Sequence, residues 1–347
     1  MSTLDSNQGL SVVVMGTGPF ILPSFESLLA SRHRVVAVVT RPARAARGRQ
    51  APVNPMREAA EKVGFTLLDP PDVNAVDVQD VIRACEADIM VVCDYGQILS
   101  GDTLRTTRLG GINLHGSLLP RHRGAAPVQW AILCGDKKTG VSVIHMTPRL
   151  DAGCVLATRS TLIGAKETSA ELEARLAQLG VDAVLESLDS LQRVEDASGN
   201  EAHLMLGQIQ DERIATRAPR ITKQDGVINW EMTAIEIDRR RRAFDPWPRL
   251  TAFVPHMNVF RRLVCLETEV VAGQPDDPSA PPGVVVEIRS DCLVVACGGG
   301  SRLAIQRVIP EGKRAMPAAD FIRGSSLRVG SQLPVLVAPG DTPQSLG

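Results

Sequence analysis

The sequence has few aromatic residues and no closely paired cysteines. Phe, Trp and Tyr make up 3% of the 347 residues, and Tyr95 is the single tyrosine. The seven cysteines are odd in number and include no Cys-x-x-Cys pair. This usage disfavours a disulfide framework and is typical of reduced thiols. We therefore expect a cytoplasmic protein.

Long hydrophobic runs and an excess of one charge are also missing. The first nine residues are polar and lack the apolar core of a signal peptide, and no run approaches the ~18 apolar residues of a membrane span. We therefore expect neither secretion nor contact with a membrane. The net charge of −1 indicates no particular partner for the whole chain.

What the chain does have is the length and composition of a soluble protein with two domains. Hydrophobic residues make up 44% and charged residues 22%, close to globular averages. Apolar runs at 11–15, 35–40, 65–68 and 89–93 alternate with helical patterns, which predicts an α/β domain with a mostly parallel sheet and helices on both faces. Short alternating segments between 250 and 308 indicate a smaller antiparallel barrel. We predict domains at 10–192 and 211–336, joined by a polar linker at 193–210.

The stretch 112–127 carries the residues best suited to catalysis. Residues two apart on a strand share a face, so Asn113 and His115 should point the same way at the carboxyl end of a buried strand. Open parallel sheets bind ligands at that edge. Asp151 follows the next strand-like run, 141–146, and because the ends of neighbouring strands meet in space, we expect it to join them in one cluster.

Other interpretations of these residues stay open at this stage. A lone histidine is more often structural than catalytic, and a lone aspartate in a loop is usually a turn residue. His115, His122 and Asp151 could in principle hold a metal, although no histidine or cysteine pair at ligand spacing supports one. Gly16 and Gly18 suggest a dinucleotide loop only weakly, because Ile21 occupies the third glycine position of that fingerprint.

Basic residues are concentrated in two places. Between 212 and 262 there are 11 basic and six acidic residues, although a run of charge on a helix is usually a solvated face. A loop after the second strand carries four arginines without nearby acids, an arrangement that suits phosphate contacts or a solvated loop equally. They are Arg41, Arg44, Arg47 and Arg49.

Several motifs together make the chain resemble the folate-dependent formyltransferases. The His-Gly-Ser-Leu-Leu-Pro segment at 115–120, Arg-Gly-Ala-Ala-Pro at 123–127 and Leu-Asp-Ala-Gly at 150–153 carry the likeness. Further matching motifs follow the same order along the chain, at 15–17, 94–99, 218–223, 242–248 and 317–324. The chain departs from the family at Gly18 and Pro19, where Pro-Asp is usual, and at Asp94, where most members have Ala.

The resemblance implies a Rossmann-like catalytic domain followed by a barrel like those that bind oligonucleotides. It further implies a monomer without a metal that transfers a formyl group from 10-formyltetrahydrofolate to the amino group of initiator methionyl-tRNA. Folate contacts would come from Tyr95, Gly96, Gln97, Ile98, Ser117, Leu118, Leu119 and Pro120. Contacts to tRNA would come from Arg41, Arg44, Arg47, Arg49, Arg220 and Lys223.

Formyl transfer defines a role for each residue of the cluster. Asn113 and His115 would donate hydrogen bonds to the developing oxyanion. Asp151 would hold His115 in its donor form and accept the proton of the attacking amine.

Five alternatives differ from this hypothesis in acceptor or class. Within the same chemistry, the acceptor could be glycinamide ribonucleotide, an amino-sugar nucleotide or water. A small metabolite does not need a basic second domain, which favours tRNA. A non-catalytic RNA-binding protein is disfavoured by the intact Asn113, His115 and Asp151, and a nicotinamide oxidoreductase by the broken glycine pattern.

Overall fold

The structure, a computed structural model, describes residues 9–42, 53–198, 206–257, 259–271 and 280–334. These residues divide between two units. The first contains those up to Pro127 together with Lys137–Ile163 and Glu171–Pro219, and the second contains Val128–Asp136, Gly164–Ala170 and those from Arg220 onward. No helix in the described ranges is long and apolar enough to cross a membrane.

A seven-stranded sheet organises the first unit. Its strands, in chain order, are β1 (Ser11–Gly16), β2 (Arg34–Val39), β3 (Leu67–Leu68), β4 (Ile89–Cys93), β5 (Gly111–His115), β7 (Lys138–His145) and β8 (Val155–Leu162). The spatial order is β3-β2-β1-β4-β5-β7-β8, and the pairs among the first five strands of that order are parallel. The order reverses between β1 and β4, the place where sheets of this kind bind ligands. The predicted mostly parallel sheet is confirmed.

Apolar runs explain the central strands. All five residues of β4 are buried, as are five of the six in β1, which is typical of strands covered by helices on both faces. Met15, Val39 and Met90 lie in one core with Tyr95 and Leu99.

The helices are α1 (Leu22–Ala30), α2 (Pro55–Lys62), α3 (Val76–Ala84), α4 (Gly101–Leu104), α5 (Pro127–Leu133), α6 (Ser169–Ser198), α7 (Ala234–Ala243) and α8 (Ala318–Arg323). Side-chain caps mark the start of three helices, α2, α4 and α7. Asn54 caps α2 by accepting a hydrogen bond from the Arg57 amide, with Pro55 at the first position. Helix α6 continues to Ser198, inside the segment predicted as a linker. The domain boundaries remain a prediction.

The second unit contains a curled antiparallel sheet. Its strands are β10 (Thr251–His256), β11 (Val259–Val271), β12 (Val285–Ile288), β13 (Leu293–Ala296), β14 (Arg302–Pro310) and β15 (Met316–Pro317). They are ordered β10-β11-β14-β13-β12, and β15 pairs with β14. The buried core under the sheet includes Trp230, Ile237, Leu263 and Ile305. The predicted smaller antiparallel domain is confirmed.

A further short pair of strands lies in the first unit. Strand β6 (Arg123–Gly124) runs parallel to β9 (Arg217–Ala218). A side chain at Gly124 would stand 2.6 Å from the Ala218 carbonyl oxygen, and its φ of 127° suits glycine alone. This pair brings residues 123–124 close to the segment after residue 206.

Candidate active site

Strand β5 presents two polar side chains on one face of the first sheet. Asn113 is half-buried, and the His115 side chain is 6% exposed. Ile112 and Leu114 face the other way, and Leu114 packs there against Gly180 of α6. The alternation predicted for this strand is therefore observed.

Asp151 approaches the same face by an unexpected route. Strand β7 pairs with β5 antiparallel, so His145 at its end lies opposite Ile112 near the start of β5. The meeting of neighbouring strand ends therefore does not explain where Asp151 lies. The chain after β7 instead folds back to place Asp151 beside Asn113 and His115. Asp151 adopts a φ of 49°, a left-handed conformation that is uncommon outside glycine and is frequent at functional sites.

The structure brings the three predicted catalytic side chains together. Asp151 Oδ1 accepts a hydrogen bond from Asn113 Nδ2 at 3.5 Å, and Oδ2 lies 3.8 Å from His115 Nδ1. The same Oδ2 accepts from the Gly124 amide at 2.9 Å. The Asp151 side chain is 9% exposed. One shielded carboxylate therefore faces an amide and an imidazole.

The imidazole of His115 is oriented by a backbone carbonyl. Its Nε2 lies 2.9 Å from the oxygen of His122. Because a carbonyl only accepts, Nε2 carries a hydrogen in this arrangement. His122 is itself buried and has a φ of 60°. His115 thus offers a donor at Nε2 and turns Nδ1 toward Asp151.

The segment 117–120, predicted to contact folate, is fixed by a serine that sequence reasoning missed. Ser142 Oγ accepts from the Leu119 amide at 3.0 Å and donates to the Ser117 carbonyl at 2.8 Å. Ser117 and Leu119 are buried, and Leu118 Cδ2 would stand 2.7 Å from a side-chain carbon on Gly140. Ser142 sits opposite His115 in the β5–β7 register. Segment 117–120 is therefore a rigid turn that directly follows β5.

The loop 95–98 has a more structural character than predicted. Tyr95 is 2% exposed and belongs to the first core, where burial raises the pKa of its hydroxyl to about 12. Gln97 accepts from the Val73 amide at 3.0 Å and donates to the Pro70 carbonyl at 3.3 Å. Ile98 is 70% exposed. The accessible groups of this loop are the side chain of Ile98 and the backbone of Gly96.

Asp94 creates a concentration of negative charge at the end of β4. Its φ is 46°, part of its surface is exposed, and Glu173 of α6 lies close enough for the two negative charges to repel each other. Desolvation raises the pKa of Asp94, and desolvation together with the Asp94 charge raises that of Glu173. Both carboxylates are thus destabilised in their charged forms.

The predicted tRNA contacts are distributed over both units. Arg41 is half-buried and donates to the Gly96 carbonyl at 3.0 Å. Arg220 and Lys223 are exposed in the second unit. Arg44, Arg47 and Arg49 lie outside the described residues.

The arginine run of α7 is not the solvated face that its charge suggests. Arg242 is buried and pairs with Asp238 at 3.1 Å, and Arg240 donates to the Asp225 carbonyl at 3.0 Å. The Arg239 guanidinium occupies the space over Gly135, where a side-chain carbon would stand 2.2 Å from its central carbon. Three of the four guanidiniums therefore pack against other groups of the second unit.

A basic depression does occur elsewhere in the second unit. A cavity of about 240 Å³ is lined by three cationic side chains, those of Arg249, Arg262 and Lys313, and one acidic side chain, that of Glu311. Glu311 also accepts a long hydrogen bond, 3.4 Å, from the Arg262 amide. The excess of positive charge makes this cavity suitable for an anion such as a phosphate.

Known proteins match the chain over nearly all its length. Residues 10–188 match the formyl transferase family, and residues 220–326 match the formyl transferase C-terminal domain. The methionyl-tRNA formyltransferase of Rhodopirellula baltica is 42% identical over 337 residues, covering 93% of this chain and 96% of that protein. The enzyme of the same name from Methylococcus capsulatus is 39% identical and covers 92% and 98%.

Solved structures share the fold. An N-formyltransferase from Helicobacter canadensis, in complex with folinic acid and dTDP-3-aminofucose, superposes with a TM-score of 0.57. It is 16% identical, and the match covers 86% of this chain and 99% of that one. The fold, the order of motifs and the near full-length identity agree. The chain belongs to the formyl transferase family.

Proposed function

We propose that this protein transfers the formyl group of 10-formyltetrahydrofolate to the α-amino group of initiator methionyl-tRNA, giving the formylmethionyl-tRNA that starts translation. The observation that carries the proposal is the match, across nine tenths of the chain, to methionyl-tRNA formyltransferases at up to 42% identity. The cluster of Asn113, His115 and Asp151 supports the chemistry. We further propose that the protein acts as a monomer in the cytoplasm.

The reaction makes three demands on the protein. The amine nitrogen forms a bond to the formyl carbon, the bond from that carbon to N10 breaks, and negative charge develops on the formyl oxygen in between. One proton leaves the amine and one is returned to N10. The site must therefore provide a donor to an oxyanion and a group that moves a proton.

Asn113 and His115 are the donors in this scheme. The Asn113 amide already points at Asp151, and preorganised donors of this kind are worth several kcal/mol when charge develops beside them. His115 donates from Nε2 to the His122 carbonyl, so it reaches an oxyanion only by exchanging that acceptor. Catalytic hydrogen bonds often tighten or exchange when substrate binds.

Asp151 is the group that accepts the proton. Its carboxylate is shielded from solvent, faces both donors and is held by the Gly124 amide. Accepting the amine proton as the new bond forms keeps the nitrogen uncharged, and His115 beside it offers a path for the proton toward N10. We assign Asp151 the role of general base and His115 that of its partner.

Substrate contacts complete the proposal. The rigid turn of Ser117, Leu118, Leu119 and Pro120 and the loop of Tyr95, Gly96, Gln97 and Ile98 would line the folate site. Basic side chains would meet the phosphates of tRNA, since each guanidinium or ammonium can bind a phosphate oxygen. These are Arg41, Arg44, Arg47, Arg49, Arg220 and Lys223.

A direct assay tests both donor and acceptor. Purified protein is given 10-formyltetrahydrofolate and either charged initiator tRNA, glycinamide ribonucleotide or an amino-sugar nucleotide, and the formylated product is measured. We expect product from the tRNA alone. Formylation of a small acceptor at a comparable kcat/KM, with none of the tRNA, would replace the proposed acceptor.

A charge-removing variant tests the assigned base. Asp151→Asn keeps the shape of the side chain but cannot accept the proton, so kcat should fall by about 10²- to 10⁴-fold, the range for general acid–base groups. Asp182→Asn, on the exposed face of α6, is the matched control and should keep full activity. An Asp151→Asn enzyme as active as the control would remove Asp151 from the mechanism.

A further inference from the structure

The turn that carries Asp151 needs an external support. A φ of 49° at a residue that is not glycine costs free energy and persists only where the surroundings impose it. The turn is also pressed against β7, because a side-chain carbon on Gly153 would stand 1.8 Å from the His145 carbonyl oxygen. Groups outside the turn must therefore hold residues 151–153 in place.

Gln210 provides this support from a distant part of the sequence. It is 8% exposed, and its Nε2 donates to the carbonyls of Asp151 at 2.9 Å and Gly153 at 2.8 Å. Two carbonyls on one side of the amide require the nitrogen there, so its orientation is unambiguous. Both hydrogens of the amide are thereby committed to the turn.

The other end of the Gln210 amide is held by Arg123. Its Oε1 accepts from Arg123 Nε at 3.0 Å and from Nη2 at 2.7 Å. The same guanidinium binds Glu212 through Nη1 at 3.0 Å and Nη2 at 3.1 Å. The Arg123 side chain is 13% exposed, and a forked pair of this kind fixes orientation as well as distance.

The network meets the Asp151 carboxylate on a second side. Arg123 lies in β6 next to Gly124, whose amide donates to Asp151 Oδ2. The backbone of Asp151 is therefore fixed by Gln210, and its carboxylate by the neighbour of Arg123. Every residue in this chain of contacts belongs to the first unit.

We propose that Gln210 and Arg123 are positioning residues that set the aim of the Asp151 carboxylate toward Asn113 and His115. This inference rests on the proposed function, in which Asp151 is the base. The carboxylate lies 3.5 Å from Asn113 Nδ2 and 3.8 Å from His115 Nδ1. At such distances a displacement of 1 Å breaks the arrangement, and misplacements of that size cost about 10²-fold in rate.

Gln210→Met tests the proposal because it keeps the length of the side chain and removes all four hydrogen bonds. We expect kcat to fall by about 10- to 100-fold while the KM values for folate and tRNA stay within about twofold, since only the aim of the base changes. Gln208→Met is the matched control, on the same segment but exposed, and should match the wild type. A fall in activity no greater than the control's would overturn the proposal.

A double-mutant cycle separates positioning from general loss of structure. If Gln210 acts through Asp151, adding Gln210→Met to Asp151→Asn should cost less than about threefold, because the group being aimed is already lost. An equal cost in both backgrounds would contradict a positioning role. If Gln210→Met does not fold, Arg123→Lys takes its place, because lysine keeps the charge beside Glu212 but cannot fork onto Gln210.

A crystal structure of the variant gives a readout that does not depend on the acceptor. We expect the Asp151 carboxylate of Gln210→Met to lie further from His115 Nδ1 than in the wild type, and an unmoved carboxylate would contradict the proposal. A wild-type enzyme that does not formylate methionyl-tRNA would instead overturn the proposed function. The structural comparison would still decide the role of Gln210.

Discussion

The carboxylate of Asp94 fills the space that a side chain at position 18 would occupy. A side-chain carbon on Gly18 would stand 2.2 Å from Asp94 Oδ2, while the backbone of Gly18, with φ −83° and ψ −177°, is open to any residue. The obstacle to a larger residue at position 18 is therefore the Asp94 carboxylate and not the local conformation. Both positions differ from the residues that the resemblance leads us to expect there, and the contact links them.

This contact predicts that substitutions at the two positions are coupled. Gly18→Ala should lower the free energy of unfolding by about 0.5 kcal/mol, because only the exposed end of the Asp94 side chain has to move aside, as measured by denaturant titration. In an Asp94→Ala background the same substitution should be nearly neutral. Equal costs in the two backgrounds would show that Asp94 is not the obstacle.

The raised pKa of Asp94 predicts that removing its charge changes the stability of the protein by an amount that depends on pH. Because the native state raises this pKa above its ordinary value of 3.8, the native protein binds the proton more tightly than the unfolded chain. Native stability from this group is present at low pH and is lost as pH rises through the raised pKa. Asp94→Asn should therefore raise the melting temperature at pH 7–8.

The gain should vanish below pH 3.8, where the carboxyl of Asp94 is neutral in both states. Glu173 contributes in the same direction, since loss of the Asp94 charge also relieves the repulsion that raises its pKa. Thermal melts of the wild type, Asp94→Asn and the exposed control Asp182→Asn at several pH values measure the effect. A gain that is independent of pH would contradict this account.

The basic cavity of the second unit predicts a salt-dependent contribution to tRNA binding. Lys313→Glu reverses one of three cations around the cavity, so the dissociation constant for tRNA should rise. The slope of log K against log salt should become shallower by about one or more. Arg328→Glu, an exposed reversal outside the cavity lining, is the control. Identical slopes for the two variants would exclude the cavity as a phosphate site.

The sequence predicted elements whose pattern is local. The bounds of β4 (Ile89–Cys93) were predicted correctly because the apolar run lies between two polar residues, Asp88 and Asp94. The direction of β7 was not predictable in this way, since the side-chain period of two is the same in parallel and antiparallel strands. The juxtaposition of Asp151 with His115 was expected from the meeting of neighbouring strand ends, and it arises instead from the loop after the antiparallel β7.

Residues that act through distant contacts escaped the sequence analysis. Gln210 fell inside a predicted polar linker, yet it is buried and binds Arg123, 87 residues away. Composition cannot distinguish a solvated amide from one committed to two carbonyls. The interpretation of the α7 arginines as a solvated face was wrong for the same reason. Only the structure shows that Gly135 leaves room for the Arg239 guanidinium. Arg123 is the first residue of the Arg-Gly-Ala-Ala-Pro motif at 123–127, and this position is the signal that could have singled it out.

The return of the chain after β7 fixes a length as well as a shape. The His145 amide donates to the Cys154 carbonyl at 3.0 Å. The eight residues between them therefore form a closed loop that places the Asp151 carboxylate beside β5. An inserted or deleted residue would turn the later side chains of that loop away from β5 without disturbing β7 or β8. Relatives with a different residue count here should keep the architecture and lose the carboxylate that we propose as the base, so loop length should separate active members from inactive ones.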